Sequence, residues 1–330
     1  MRIGVYGTGS WATALAQVLA DNGRDVIMYG RNPEEVKDIN DNHRNSRYLD
    51  ADLNPDISAS DKIEILNSCD IVLLGIPVKA FKSALEELDR VLDHQVLVIN
   101  VAKGFYEENE ERLSVVIKEK LKDKVSDVVS LIGPSHAEEV VLRLTTLVNA
   151  VCENEEAAKL VQELFSNDYF RVYRSDDVIG AEIAAAIKNV IAIASGMIEG
   201  LDQGDNARAA LVTRGLAEMS RFGTFFGGRK ETFLGLNGVG DLMVTCSSMH
   251  SRNFTAGLEI GRDDSAERFL RENTRTTEGI NTSKSVYELS LKYGIEMPIT
   301  REVYRVLFEN KKPSVALIEL MRRELKIEGI

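Results

Sequence analysis

A glycine turn set between an apolar strand and a helix, within the opening residues, limits what this chain can fold into more than any other feature. Residues 2–6 are a short apolar run and Gly7-Thr8-Gly9-Ser10-Trp11-Ala12 follows. Residues 10–21 then have helical spacing, and 25–29 are a second apolar run. Each small residue has a steric reason to be there. Gly7 permits a tight reversal, Gly9 lets backbone approach a ligand closely, and Ala12 keeps the helix near the strand. The helix start offers unsatisfied N–H groups and its positive dipole end to a phosphate. A dinucleotide's pyrophosphate is the expected ligand of Gly7 and Gly9.

The alternation continues along the first half. Further strand candidates are 63–66, 70–76, 95–101, 128–132, 146–151 and 170–173, with amphipathic stretches such as 78–92 and 110–121 between them. Continuous Val/Ile/Leu runs separated by helices predict a parallel sheet covered on both faces. Beyond about residue 177 the pattern is helical, over 180–199, 207–222, 265–272, 282–293, 301–309 and 315–325. The expected class is α/β: a doubly wound, Rossmann-type, mostly parallel sheet in residues 1–180, then an all-helical domain in 181–330. Length agrees, because 330 residues exceed the roughly 250–300 that one core usually organises. No Pro-rich linker marks the boundary, so a continuous helix is expected there.

Charge narrows the partners. Lys and Arg number 40 against 52 Asp and Glu, a formal charge of −12. That excludes a general nucleic-acid or anionic-membrane binder, which needs a basic face. Cys69, Cys152 and Cys246 have no paired spacing and read as reduced thiols of a cytosolic protein. The chain opens in a strand pattern without a long apolar leader. Its longest apolar stretch, 183–198, is broken by Lys188-Asn189 and is shorter than the roughly 20 residues of a membrane span. A soluble, cytoplasmic protein with a small-molecule substrate is expected.

Several residues carry candidate chemistry. After the second strand stands Arg31, with no acid before Glu34. An acid there would hold the 2′-hydroxyl of NAD, whereas Arg31 suits the 2′-phosphate of NADP, so NADP(H) is expected to be preferred over NAD(H); the alternative for Arg31 is a solvated helix-start residue. Ile76-Pro77, Ala102-Lys103-Gly104 and Gly133-Pro134-Ser135-His136 punctuate strand ends, where ligands collect in such sheets. Lys103 reads equally as an anion contact or a surface lysine at a turn. Lys188 lies in a stretch apolar on nearly every side, and a helix hydrophobic all round is buried. Burial disfavours the ammonium and tunes a lysine toward acid–base work; the alternatives are snorkelling or pairing with a carboxylate. Gly238-Val239-Gly240-Asp241 and Ser251-Arg252-Asn253 read as loop-like, and the latter donors suit a phosphate. His43, His94, His136 and His250 lack metal-ligand spacing, so no metal is expected.

The motifs form a recognisable set in order: Gly7-Thr8-Gly9-Ser10-Trp11, Lys103-Gly104, Gly133-Pro134-Ser135-His136-Ala137-Glu138-Glu139, Ile187-Lys188-Asn189-Val190-Ile191-Ala192, Asn206-Ala207-Arg208-Ala209-Ala210-Leu211, Thr213-Arg214-Gly215-Leu216-Ala217-Glu218, Gly238-Val239-Gly240-Asp241-Leu242, Ser251-Arg252-Asn253, Glu278-Gly279 and Met297-Pro298-Ile299-Thr300. Nearly end to end the chain resembles the bacterial NAD(P)-dependent glycerol-3-phosphate dehydrogenases. The resemblance implies interconversion of dihydroxyacetone phosphate and sn-glycerol 3-phosphate, for phospholipid synthesis. It implies Lys188 as proton donor and acceptor, with Lys103 and Asp241 also catalytic. Gly133, Ser135, Ser251, Arg252 and Asn253 would join them around the substrate. Ser10, Trp11, Arg31, Tyr48, Lys103, Ala137, Arg252 and Glu278 would line the cofactor, NADP(H) or NAD(H), and the family suggests a homodimer. Ala12 stands where the family usually has Gly, Phe254-Thr255 where basic or aromatic residues are frequent, and Thr276-Thr277 where apolar ones are. A related dehydrogenase of a hydroxy acid, or a non-catalytic NAD(P)H-sensing regulator, would fit the same architecture.

Overall fold

Continuous Val/Ile/Leu runs leave a strand apolar on both faces, so it must be covered on both. The computed structural model, which describes residues 1–274, 276–325 and 327, does this in the first of two units, Met1–Val178 and Ile179–Ile330. Eight strands, β1 (Arg2–Tyr6), β2 (Asp25–Tyr29), β3 (Ser58–Ser60), β4 (Ile71–Leu74), β5 (Val96–Asn100), β6 (Val125–Ile132), β7 (Thr146–Val151) and β8 (Phe170–Ser175), form one sheet in the order β3-β2-β1-β4-β5-β6-β7-β8. All neighbours are parallel except β6 and β7. Helices α1 (Ser10–Asp21), α2 (Pro33–Asn42), α5 (Ala137–Val141) and α6 (Glu155–Phe165) bury Leu15, Ile39, Val140 and Val161 against one face. On the other, α3 (Phe81–Val91) and α4 (Leu113–Leu121) bury Phe81, Leu85 and Ile117.

The strand order reverses between β1 and β4, which opens a crevice at their carboxyl ends, the usual ligand position in such sheets. The expected strand at 63–66 is instead a 3-10 turn, Ile63–Ser68, and the edge strand is Ser58–Ser60. The physical reason is local. Leu66 buries among the residues below α3 with helical spacing from Ile63, while an edge strand of Ser-Ala-Ser is too short and polar to announce itself.

The second unit is helical: α7 (Val178–Gly200), α8 (Gly204–Phe225), α9 (Lys230–Leu234), α10 (Asp241–Ser247), α11 (Arg252–Asp263), α12 (Glu267–Glu272), α13 (Glu278–Tyr293), α14 (Pro298–Phe308) and α15 (Pro313–Met321). The unit boundary falls at the first residue of α7. With 23 residues, α7 is long and apolar enough to cross a bilayer, which corrects the reading of that stretch as too short; yet 94% of its apolar window is buried within the protein. It is a core helix. All three cysteines are buried and unbridged, and burial pushes the Cys152 thiol up to about 11 and that of Cys246 up to about 12.

Close backbone approach fixes α11 on α7. A Cβ on Gly257 would overlap the Ile193 carbonyl oxygen, and one on Gly196 the Phe254 carbonyl oxygen. On Gly200 and Gly261, Cβ atoms would lie 2.5 Å from the Leu258 and Met197 oxygens. Backbone cannot step aside as a flexible side chain can. Gly257→Ala should therefore lose about 2 kcal/mol or more of stability by urea denaturation, because overpacking of about 3 kcal/mol outweighs alanine's helix propensity of about 1 kcal/mol. An unchanged urea midpoint would show that the crossing is loose.

Elsewhere Glu218 of α8 holds the start of α14. It accepts the N–H groups of Ile299 at 2.6 Å and Thr300 at 3.2 Å. Burial raises this carboxyl to about 7, against the lowering by those two N–H donors. A carboxyl whose folded pKa is raised takes up a proton on folding. Stability is thus lost as pH rises from the unfolded value near 4.5 to the folded value near 7, and stays level above it. From pH 5 to pH 8, Glu218→Gln should gain about 2.5 kcal/mol relative to the unsubstituted chain, read as the difference in urea stability at the two pH values. Parallel pH profiles would contradict it.

Candidate active site

The glycine turn after β1 is built as its sequence requires. Gly7 has φ +116°, and a Cβ there would lie 2.7 Å from the Gly75 carbonyl oxygen. Its N–H donates to the Tyr29 carbonyl at 2.9 Å. The Thr8 hydroxyl donates to the Glu35 carboxylate at 2.5 Å, and Asn45 Nδ2 donates to the Thr8 carbonyl at 2.7 Å. The turn is thereby tied to β2, α2 and the segment after it. A Cβ on Gly75 would sit 2.5 Å from Cβ of Ala12, so residue 75 must lack a side chain for α1 to pass this close.

The opening turn of α1 fits a pyrophosphate. No side chain caps this twelve-residue helix and no acid stands in its first turn, so its N–H groups keep their direction toward a ligand. A Cβ on Gly9 would meet nothing within 4 Å. Trp11 Nε1 is buried and finds no hydrogen-bond partner among the described residues.

At the carboxyl ends of β5 and β6 the structure brings together three expected residues: Lys103 Nζ donates to the Gly133 carbonyl at 3.2 Å and Ser135 Oγ to the same oxygen at 3.0 Å. Arg31, expected to await a 2′-phosphate, instead donates to the Glu87 carboxylate at 2.8 Å and to the Tyr6 hydroxyl at 3.2 Å. Tyr48 is exposed beneath the Arg47 guanidinium, 5.7 Å from its ring centroid, and Ala137 is buried at the start of α5.

In the second unit Lys188 is buried, as its surroundings in sequence predict, and is paired with a carboxylate, which the sequence left open. Its ammonium donates to the Asp241 carboxylate and, at 2.8 Å, to Thr245 Oγ1. Lys188 is 4% exposed and Asp241 1%, so each charge compensates the other's loss of water. Asp241 and Thr245 are one turn apart on α10 and share a face. The Thr245 hydroxyl donates to the Asp241 carbonyl at 2.5 Å, which leaves its lone pairs to the ammonium. Asp241 also sits in the first turn of α10, where the helix dipole favours an anion.

The segments read as loop-like are helix starts. Asp241 follows the π-turn Leu236–Gly240, and Arg252 opens α11. Ser251 caps α11, its Oγ accepting the Phe254 N–H at 3.2 Å. Asn253 is buried: its Nδ2 donates to Asn189 Oδ1 at 3.0 Å, and its Oδ1 accepts the Gly279 N–H at 2.9 Å. It ties α7, α11 and the start of α13, where Glu278 stands. Arg252 is exposed and lines a cavity of about 210 Å³ with Arg268 and Thr277.

Residues 2–158 match the family model for the N-terminus of NAD-dependent glycerol-3-phosphate dehydrogenase, and residues 177–318 match the model for its C-terminus. The chain belongs to the NAD-dependent glycerol-3-phosphate dehydrogenase family. Membership makes it an oxidoreductase that works with NAD(P). It is 46% identical to the glycerol-3-phosphate dehydrogenase [NAD(P)+] of Staphylococcus haemolyticus, over 99% of each chain. With that of Lactococcus lactis identity is 42%, over 99% of this chain and 97% of the relative. Among solved structures, the glycerol-3-phosphate dehydrogenase of Coxiella burnetii superposes with a TM-score of 0.92 at 35% identity, covering 98% of this chain and 99% of the other.

Sequence reasoning missed Thr245, Asn189, Glu35 and Asn45. Only Thr245 had a usable signal, since four residues from Asp241 is one helical turn, but that required reading the segment as a helix. Gly9 supplies a clean test of the family member's cofactor turn. Its φ of −65° and ψ of 168° suit any residue, and its Cβ space is open. Gly9→Ala should leave thermal stability within about 0.5 kcal/mol and weaken NADPH binding at least about tenfold, measured by equilibrium titration. Unchanged affinity would remove the pyrophosphate from this turn.

Proposed function

We propose that the chain reduces dihydroxyacetone phosphate to sn-glycerol 3-phosphate with NAD(P)H, supplying the backbone for phospholipid synthesis. The observation that carries this reading is the buried Lys188–Asp241 pair on Thr245. The dinucleotide, bound at the glycine turn, supplies the hydride for substrate C2. Lys188 delivers the proton to the C2 oxygen, and in the oxidising direction takes it from the hydroxyl. Asp241 and Thr245 position the amine: a flexible four-carbon stem would otherwise wander, and an unpaired ammonium would leave for water. Lys103 opposes negative charge as it develops on the oxygen, with Gly133 and Ser135 fixing where its amine stands.

Ser251, Arg252 and Asn253 are assigned to the substrate phosphate. The exposed guanidinium of Arg252 matches phosphate oxygens, the start of α11 presents N–H groups, and Asn253 keeps that start in place. Gly7, Gly9, Ser10, Trp11, Arg31, Tyr48, Lys103, Ala137, Arg252 and Glu278 are assigned to NADP(H) or NAD(H). A homodimer, taken from the family resemblance, and a cytoplasmic location, taken from the unpaired cysteines, complete the reading.

Steady-state oxidation of NADPH with dihydroxyacetone phosphate tests the activity, and faster turnover of a 2-oxo acid would overturn the substrate assignment. For the lysine, Lys188→Ala should lower kcat by about 10²- to 10⁴-fold, while NADPH affinity stays unchanged as a check on folding. If turnover and NADPH binding fall together, Lys188 holds the fold and is not the acid.

A further inference from the structure

Glu87 lies 56 positions from Arg31, yet it closes a polar cluster at the carboxyl ends of β1 and β2. Its two oxygens are divided between two donors: Oε1 accepts Arg31 at 2.8 Å and Oε2 accepts the Tyr6 hydroxyl at 2.6 Å. Arg31 also donates to that hydroxyl at 3.2 Å. The carboxylate is no wandering surface arm, because Ala84, Leu85 and Leu88 bury the same helix α3 against the sheet and its own side chain is only a quarter exposed. The sequence shows no acid at the end of β2, where an NAD-type site carries one. Glu35, the nearest buried acid, is engaged by Thr8, Asn32 and Arg47. The acid on this side of the site comes instead from α3.

We propose that Glu87 is a specificity-determining residue that shifts the chain's cofactor choice toward NADH by holding the Arg31 guanidinium, an inference that rests on Arg31 facing the adenosine ribose. A 2′-phosphate carries a charge of about −1.5 to −2 and must share Arg31 with a carboxylate that repels it. A 2′-hydroxyl carries no charge and meets no such penalty. The Arg31 cation, read alone, promises NADP selectivity; the pair, read together, is neutral.

The full chain, titrated at equilibrium with NADPH and with NADH while Trp11 emission is followed, reads this without turnover. Glu87→Gln keeps the shape and removes the charge. It should tighten NADPH about tenfold, the worth of one partly screened charge-assisted contact, and leave NADH within about twofold. In an Arg31→Gln background the same substitution should have no effect on either. If Glu87→Gln leaves the NADPH-to-NADH ratio unchanged while Arg31→Gln lowers it, Glu87 plays no part. If Arg31→Gln also leaves the ratio unchanged, the Arg31 reading itself fails. Equal weakening of both cofactors by Glu87→Gln would make Glu87 a structural residue and overturn the proposal.

Discussion

Lys188 and Asp241 stand where water scarcely reaches, and each is admissible there only with the other. Removing either would strand a buried charge, which typically costs about 3–5 kcal/mol. The pair therefore contributes little net stability and imposes a geometric demand: two helices far apart in sequence must arrive with their side chains in register. The second unit can be understood as the answer to that demand. Asp241 is supplied from the first turn of α10, where the dipole already favours an anion, and Thr245, one turn on, receives the same amine.

Distance is set by backbone. Gly196 and Gly200 on α7 meet Gly257 and Gly261 on α11 so closely that no Cβ fits, and this contact carries the start of α11 to the residue beside Lys188. Asn189 and Asn253 then lock the rotation about the crossing with a buried hydrogen bond, and Gly279 adds a third helix through its N–H. A helix pair packed through larger side chains would have freedom to slide, because those side chains can change rotamer. Here close packing removes that freedom, and the polar contacts define which sliding position is kept.

What was legible in the sequence was what local chemistry dictates. The turn at Gly7 and Gly9, the strands that feed it and the burial of α7 all follow from short-range sterics and apolar runs. The edge strand at 58–60 was not legible, since its pairing is supplied by β2 and not by its own composition. Nor were α10 and the start of α11, where glycines and polar residues hide helices whose stability comes from tertiary contact. Lys103, Gly133 and Ser135 were legible as strand-end residues, but not the carbonyl that two of them share. Lys188 was legible as a buried cation open to pairing with a carboxylate, but only the family resemblance, and no spacing, pointed to Asp241, 53 positions away. Pairing at such separation is a property of the fold.

The two units carry their chemistry by different means, and this bears on how each tolerates change. The first presents backbone: N–H groups of α1, a glycine with open space, a carbonyl fixed by Lys103 and Ser135. Backbone donors are kept through most substitutions, so the constraint falls on conformation at Gly7, on open space at Gly9 and on the close approach of Ala12 to Gly75. The second presents side chains, Lys188, Asp241, Thr245, Asn189 and Asn253, each held by at least one of the others or by a helix start. A backbone site loses function when its shape is lost, whereas a side-chain site loses it when one functional group is lost with shape intact. The polar cluster of Tyr6, Arg31 and Glu87, like Lys103, adds side chains to the first unit. On the proposed reading it is a side-chain device set beside a backbone site, and a preference between cofactors that differ by one phosphate belongs there, because a glycine turn that holds the shared pyrophosphate would treat both alike.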